Sequence, residues 1–142
     1  MSLHISSELL GQIYSLTEAA YPDEGAGLLL GRVDGDVRRV EAILSIENAR
    51  EEFARHNRYL ITPQDMLRGE QEAMQRGLDV IGIFHSHPDH PNRPSEFDRE
   101  WALPWFSYMI TSVMAGQATK SRSWRLQDDR SGFIEESIFV LK

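Results

Sequence analysis

Residues 85–98 read His85-Ser86-His87-Pro88-Asp89-His90-Pro91-Asn92-Arg93-Pro94-Ser95-Glu96-Phe97-Asp98. Two histidines stand at i and i+2, a serine follows the second by eight positions, and an aspartate follows the serine by three. These side chains offer a borderline metal two imidazole nitrogens and one carboxylate, and leave a fourth position open. Three protein ligands plus water is the pattern of a catalytic zinc site, whereas structural sites close all four positions with protein, usually with cysteine. The chain has no cysteine. His85, His87 and Asp98 are therefore the candidate metal ligands, and Zn2+ is the expected ion.

The elements that must position them follow from local pattern. Leu78 to Phe84 is apolar and β-branched, a central strand that delivers His85 and His87 at its C-terminal end. In a strand, residues i and i+2 face the same side about 7 Å apart along the backbone, close enough for two imidazoles to converge on one ion. Ser95-Glu96-Phe97-Asp98 is a capping-box pattern, starting a helix that must stop near Pro104. Asp98 then lies in the first turn, where a carboxylate sits well beside the positive end of the helix dipole. Ser95 anchors that turn as the cap. On its own a capping box is more often structural than functional; the His-x-His pair directly after a buried strand shifts the reading to a metal site.

Metal-activated hydrolysis also needs a base to take a proton from water, and an acidic side chain is the usual provider. Glu24 is the best candidate, placed between a helix end at Pro22 and a glycine-rich buried strand. Asp23 is a weaker competitor. From these residues alone, a solvated glutamate in a turn is the ordinary alternative.

Elsewhere the elements read plainly. Leu9, Leu10, Ile13 and Leu16 share one helical face after Ser6 and Ser7, predicting a helix from about Ser7 to Ala20. Gly25 to Gly31 reads as a buried strand, Asp34-Gly35 as a hairpin turn and Val37 to Ile46 as the partner strand. Glu47 to Asn57 reads as a loop and Arg58 to Ile61 as a short strand. Thr62-Pro63-Gln64-Asp65 starts a second helix whose apolar face is Met66, Leu67, Ala73 and Met74, with Gly77 as its C-cap. Phe106 to Met114, Arg122 to Leu126 and Phe133 to Val140 are further strands, with Ala115 to Ser121 a short connection. Strands and helices mix without regular βαβ alternation, so the expected class is α+β (mixed α/β).

The chain's 142 residues fit one domain, residues 1–142, and can bury a core without disulfide or metal staples. A net charge of −7 with no basic run argues against nucleic acid as a partner. No apolar run approaches the roughly 20 residues of a membrane span, and no signal-like start is present, so a cytoplasmic protein is expected.

A glutamate ahead of a glycine-rich strand, then His-Ser-His-Pro, then Pro-Ser-x-x-Asp after the stated spacing, resembles the JAMM (MPN-domain) metallopeptidase family. The likeness extends over most of the chain, with the helices and strands in the family's order. It implies a central mixed β-sheet flanked by two main helices, with a short helix at the metal site. It also implies that His85, His87 and Asp98 hold zinc and that Glu24 rather than Asp23 activates water and passes the proton to the leaving amine. By the same resemblance, Ser95 stabilises the tetrahedral oxyanion. The compact chain and the stretch Gly82 to Pro91 look most like the small prokaryotic members. Those are linked to peptide or isopeptide cleavage at the C-terminal tail of ubiquitin-like sulfur-carrier proteins, which makes such a carrier the expected partner. An extended tail is expected to add as a strand to an exposed sheet edge. The rival readings are a non-catalytic MPN interaction module, which generally loses the ligands, and a RadC-like metal-dependent hydrolase of another substrate. A zinc nucleobase deaminase is excluded, because its Pro-Cys-x-x-Cys half is missing.

Of the remaining residues, His90 is close enough in sequence to touch a substrate carboxylate, though a loop histidine is more often solvated. His56 has no motif around it, and His4 lies near the terminus. Trp101, Trp105 and Trp124 could line a groove, with core packing expected for at least two. Arg93 and Arg99 flank the metal loop, facing either an acidic tail or Glu96.

Overall fold

The computed structural model describes residues 1–47 and 61–142. The expected loop beyond Glu47, the strand at Arg58 to Leu60 and His56 lie outside the described residues. Ile61, the last residue of that expected strand, is in no strand. In chain order the elements are β1 (Ser2–Ser6), α1 (Ser7–Ala20), β2 (Ala26–Asp34), β3 (Val37–Ile46), α2 (Pro63–Gln75), β4 (Asp79–Pro88), α3 (Glu96–Trp101), β5 (Ser107–Met114), β6 (Gln117–Leu126) and β7 (Phe133–Leu141).

The strands form one mixed sheet in the order β1-β3-β2-β4-β5-β6-β7, and β7 pairs back onto β1 to close a barrel. This corrects the expectation of a central mixed sheet flanked by helices: the sheet is mixed, as expected, but it closes on itself. Closure depends on β1, five residues that the sequence reading passed over. It pairs in parallel with both β3 and β7, which are distant in sequence, so no local turn signal announces it. Leu3 and Ile5 point into the core from its two alternate inward positions.

Two apolar clusters hold the helices to the sheet. One packs Leu3, Ile5, Leu29, Ile81, Phe84 and Met109 against Ile13 of α1. The other packs Leu28, Leu30, Ile83, Phe106 and Tyr108 against Ala73 of α2. Each fully buried aliphatic or aromatic side chain here stabilises the fold by about 1.5–3 kcal/mol. The α1 boundaries match the sequence reading: Ser6 Oγ accepts the Leu9 N–H at 3.1 Å, and the helix ends just before Pro22. At the start of α2, Thr62 and Asp65 form a reciprocal capping box at 3.1 and 3.0 Å. Its buried face matches the expected one in Met66 and Ala73 only. Gly69 and Ala73 are buried, whereas Leu67 and Met74 are exposed, Met74 by 78%. A side chain at Gly69 would place its Cβ 2.1 Å from Leu28 Cδ1, so the helix approaches the sheet through its smallest residue.

The β5–β6 hairpin corrects another boundary. Only Ala115 and Gly116, both with positive φ, separate the strands, and β6 begins at Gln117 rather than Arg122. The residues 117–121 are polar and mostly solvent-facing, so they lack the apolar alternation that marks a strand. Trp101 and Trp105 are exposed, contrary to the core packing expected of at least two tryptophans. No helix among the described residues is long and apolar enough to cross a membrane.

Candidate metal centre

β4 is the strand on which the site is built. It pairs antiparallel with β2, with Ala26 opposite His85, and parallel with β5, with Ile110 opposite His85 and Ser112 opposite His87. The parallel ladder continues to Pro88, so both histidines are held inside regular strand rather than in the following loop. Their rings share one face. His85 Nε2 and His87 Nε2 stand 3.2 Å apart.

Asp98 meets them from α3. Its carboxylate lies 3.2 Å from His87 Nε2 through Oδ2 and 3.4 Å from His85 Nε2 through Oδ1. The capping box fixes that position from both directions: Ser95 Oγ accepts the Asp98 N–H at 3.0 Å, and Asp98 Oδ2 accepts the Ser95 N–H at 2.8 Å. All three side chains are buried. The structure brings the predicted trio together, from two separate elements.

The donor set fits a zinc ion. Ligands about 2.0–2.1 Å from a tetrahedral centre stand roughly 3.3–3.4 Å from one another. The two imidazole nitrogens stand 3.2 Å apart, and the Asp98 carboxylate meets one through Oδ2 at 3.2 Å and the other through Oδ1 at 3.4 Å. Two imidazoles and one carboxylate are also the donor types that suit it.

The surroundings act differently on the two imidazoles; at His87, burial is outweighed by the hydrogen bond and charge of Asp98, which raise its pKa. His87 Nδ1 lies 2.8 Å from the carbonyl oxygen of Pro91, which can only accept, so Nδ1 carries a proton and Nε2 is the nitrogen presented to the site. Burial lowers the His85 pKa despite the opposing pull of Asp98, which favours the neutral imidazole that metals bind. Burial pushes the Asp98 carboxyl up, yet its hydrogen bonds with the two histidines and the Ser95 N–H outweigh it. They hold the group well below the ordinary carboxylate range.

Glu24 arrives through strand register. The β2–β4 pairing continues one step beyond Ala26: the Ser86 N–H donates to Gly25 O at 3.0 Å and the Gly25 N–H donates to Ser86 Oγ at 2.8 Å. That brings Glu24 opposite His87. One carboxylate oxygen of Glu24 and one ring nitrogen each of His85 and His87 all lie within 4.8 Å of one another. Glu24 is 4% exposed, while its neighbour Asp23 is half-exposed, so the two acids have different places. Glu24 also lines a cavity of about 350 Å³ together with His87, His90, Pro91, Arg93 and Ser95.

The loop after β4 is pinned at several points. Tyr21 Oη donates to Asp89 Oδ2 at 2.6 Å, Asp89 Oδ1 accepts the Ala115 N–H at 2.8 Å, and Trp124 Nε1 donates to Asn92 O at 3.1 Å. These contacts hold the Pro91 carbonyl where His87 needs it. Sequence reasoning missed Ser86, Asp89 and Asn92 in this role, since their partners sit on distant elements. His90 and Arg93 face the cavity, whereas Arg99 pairs with Glu96 at 2.8 Å. His4 is part of β1, against the ring of Phe139.

Residues 6–127 match the family described as prokaryotic homologs of the JAB domain. The probable TtuB-protein conjugate cleaving protease of Thermus thermophilus is 31% identical over 97 residues, which cover 66% of this chain and 61% of that protein. The desampylase of Pyrococcus furiosus is 37% identical over 105 residues, covering 74% of this chain and 68% of that protein. The chain thus spans about three fifths to two thirds of the length of these relatives. Among solved structures, the JAB1/MPN domain protein of Archaeoglobus fulgidus has the same fold, with a TM-score of 0.60 over 100% of both chains at 22% identity.

Proposed function

We propose that this chain, which belongs to the family of prokaryotic homologs of the JAB domain, is a zinc-dependent peptidase that cleaves at the C-terminal tail of a ubiquitin-like, sulfur-carrier-type protein. The observation that carries the reading is the buried trio of His85, His87 and Asp98 with the Glu24 carboxylate beside it. Zinc, when bound there, supplies a Lewis acid that polarises a carbonyl and makes water a nucleophile near neutral pH. The two relatives' names lend the substrate class, one being that of a protease cleaving a protein conjugate.

The chain's own residues divide the remaining work. Glu24 accepts the proton of the attacking water and returns it to the leaving amine as the carbon–nitrogen bond breaks and the carbon–oxygen bond forms. Ser95 Oγ accepts the Asp98 N–H, which leaves its own proton to be donated to the carbonyl oxygen as negative charge develops. Both residues line the same cavity.

The closed barrel narrows where an extended tail can add as a strand. β1 pairs with β3 only from Val37 to Arg39, so the residues of β3 from 40 to 46 have no strand partner on the side away from β2 among the described residues. That edge leads to a second cavity of about 230 Å³, bordered by Ser45, Ile46 and Glu24. A tail laid there runs toward Glu24, and a terminus poor in side chains suits the close backbone approach.

Elemental analysis of chelator-free protein tests the metal half of the reading. About one zinc per chain is expected, falling sharply in His87→Ala and Asp98→Ala, since three ligands are what keep a catalytic position open. Full zinc retention in His87→Ala contradicts the ligand assignment.

A further inference from the structure

At the end of the sheet away from the histidines lies a larger cavity, of about 550 Å³. Arg38 and Arg125 line it, Pro104, Leu126 and Ile134 give it an apolar wall, and Asp128 and Asp129 belong to its rim. Arg38 donates to the carbonyl of Ile81, four residues before His85 and so about 13 Å from it along β4. None of the proposed catalytic or metal residues borders this cavity.

The charges buried beneath it do not balance. Arg38 is buried, and its Nη1 is committed to the carbonyls of Ile81, at 3.0 Å, and Trp105. Its Nε, also buried, meets no acceptor among the described residues. The nearby carboxylate, Glu136, faces Arg125: Oε2 lies 2.5 Å from Arg125 Nε as an ion pair without hydrogen-bond alignment, and Oε1 accepts the Ser123 hydroxyl at 2.6 Å. Arg125 Nη2 donates to Asp36 O at 3.2 Å. Two guanidinium groups thus share one buried carboxylate. Burial, and then repulsion from Arg125, lowers the Arg38 pKa accordingly. A buried donor left unpaired is costly, and an anion that reached the Nε–H of Arg38 would offset that cost.

We propose that this cavity is a second ligand site that takes a small organic monocarboxylate, its head on Arg38 and Arg125 and its apolar body on Pro104, Leu126 and Ile134. A guanidinium edge matches a carboxylate in shape as well as charge. The rim selects against larger anions: Asp128 and Asp129 are exposed acids at the mouth, and Asp129 accepts the Ser131 N–H at 2.9 Å within its own turn. A single buried anionic head passes that rim, whereas a polyphosphate meets repulsion from it. A free acid and the C-terminus of a peptide share the required chemistry.

The test follows the Arg38 Nε–Hε resonance by ¹H–¹⁵N NMR in the zinc-loaded full chain. Butyrate represents the free acid, acetyl-Ala-Leu the chain terminus and butyramide the uncharged control. The resonance is expected to move saturably with at least one acid at roughly millimolar concentration, and to stay put with butyramide. The acid that binds more tightly identifies the source. Ile134→Glu adds a negative charge at an exposed wall position directly across from Arg125 on the neighbouring strand, and is expected to weaken binding at least ~10-fold. That variant also separates this site from carboxylate binding at the zinc. An unmoved resonance with both acids, an equal shift with butyramide, or wild-type affinity in Ile134→Glu overturns the proposal.

Discussion

The hydroxyl of Ser86 accepts the backbone N–H of Gly25 at 2.8 Å, so the residue between His85 and His87 also holds the residue directly after Glu24. Ser86 is fully buried and points away from its histidine neighbours, as strand alternation requires. One short segment of β4 thereby fixes both the metal donors and the proposed base. Ser86→Ala leaves a part-buried N–H without its acceptor, at a cost of about 1–3 kcal/mol, and loosens Glu24. Turnover is expected to fall roughly 10-fold or more with zinc content unchanged, and Ser86→Thr, which keeps the hydroxyl, should restore most of it. Unaltered turnover in Ser86→Ala would show that Gly25 needs no such tether.

Glu24→Gln preserves shape and hydrogen bonding but cannot accept a proton. It is expected to keep its zinc and to lose at least ~100-fold in turnover, the lower end of general-base contributions. Metal analysis and a steady-state assay on the same sample check both halves. Loss of zinc from Glu24→Gln, with retention in Asp98→Asn, would exchange the roles of the two acids.

Tyr108 offers a pH test of the packing beneath α3. Burial raises its phenol to about 12 from 10.0, against the lowering effect of the Leu103 N–H that it accepts at 2.6 Å. A raised folded-state pKa means that this contribution to stability is fully present below pH 10 and is lost as pH rises toward about 12. Absorbance titration at the tyrosinate band should show one of the four tyrosines ionising last, together with falling melting temperature across that window. In Tyr108→Phe the late phase should vanish. A late phase that survives the substitution assigns it to another tyrosine.

Much of the centre was legible because its signals are local. The His-x-His pair carries the period of a strand, and Ser95 and Asp98 carry the spacing of a capping box; both hold as read. Glu24 was legible only as an acid at the edge of a buried strand, because its approach to His87 comes from the antiparallel register of β2 on β4, which no local spacing encodes. Barrel closure was invisible for the same reason: β1 has five residues, and both its partners are remote. The exposed Leu67 and Met74 show the opposite failure: Met66 and Ala73 dock as read, but the face turns toward Gly69 and leaves the other two apolar residues outside. The charge cluster of Arg38, Arg125 and Glu136 joins β3, β6 and β7, and had no sequence signature at all.

The most direct test of the peptidase reading is mass spectrometry of a ubiquitin-like carrier extended beyond a Gly-Gly terminus, incubated with the zinc-loaded chain. Cleavage after the second glycine is expected, abolished by a zinc chelator and by Glu24→Gln, with linked ubiquitin dimers cut poorly or not at all. Robust cutting of such dimers would contradict the carrier-tail assignment while leaving the metal chemistry in place. An intact carrier after prolonged incubation, with one zinc bound per chain, would contradict the peptidase reading itself.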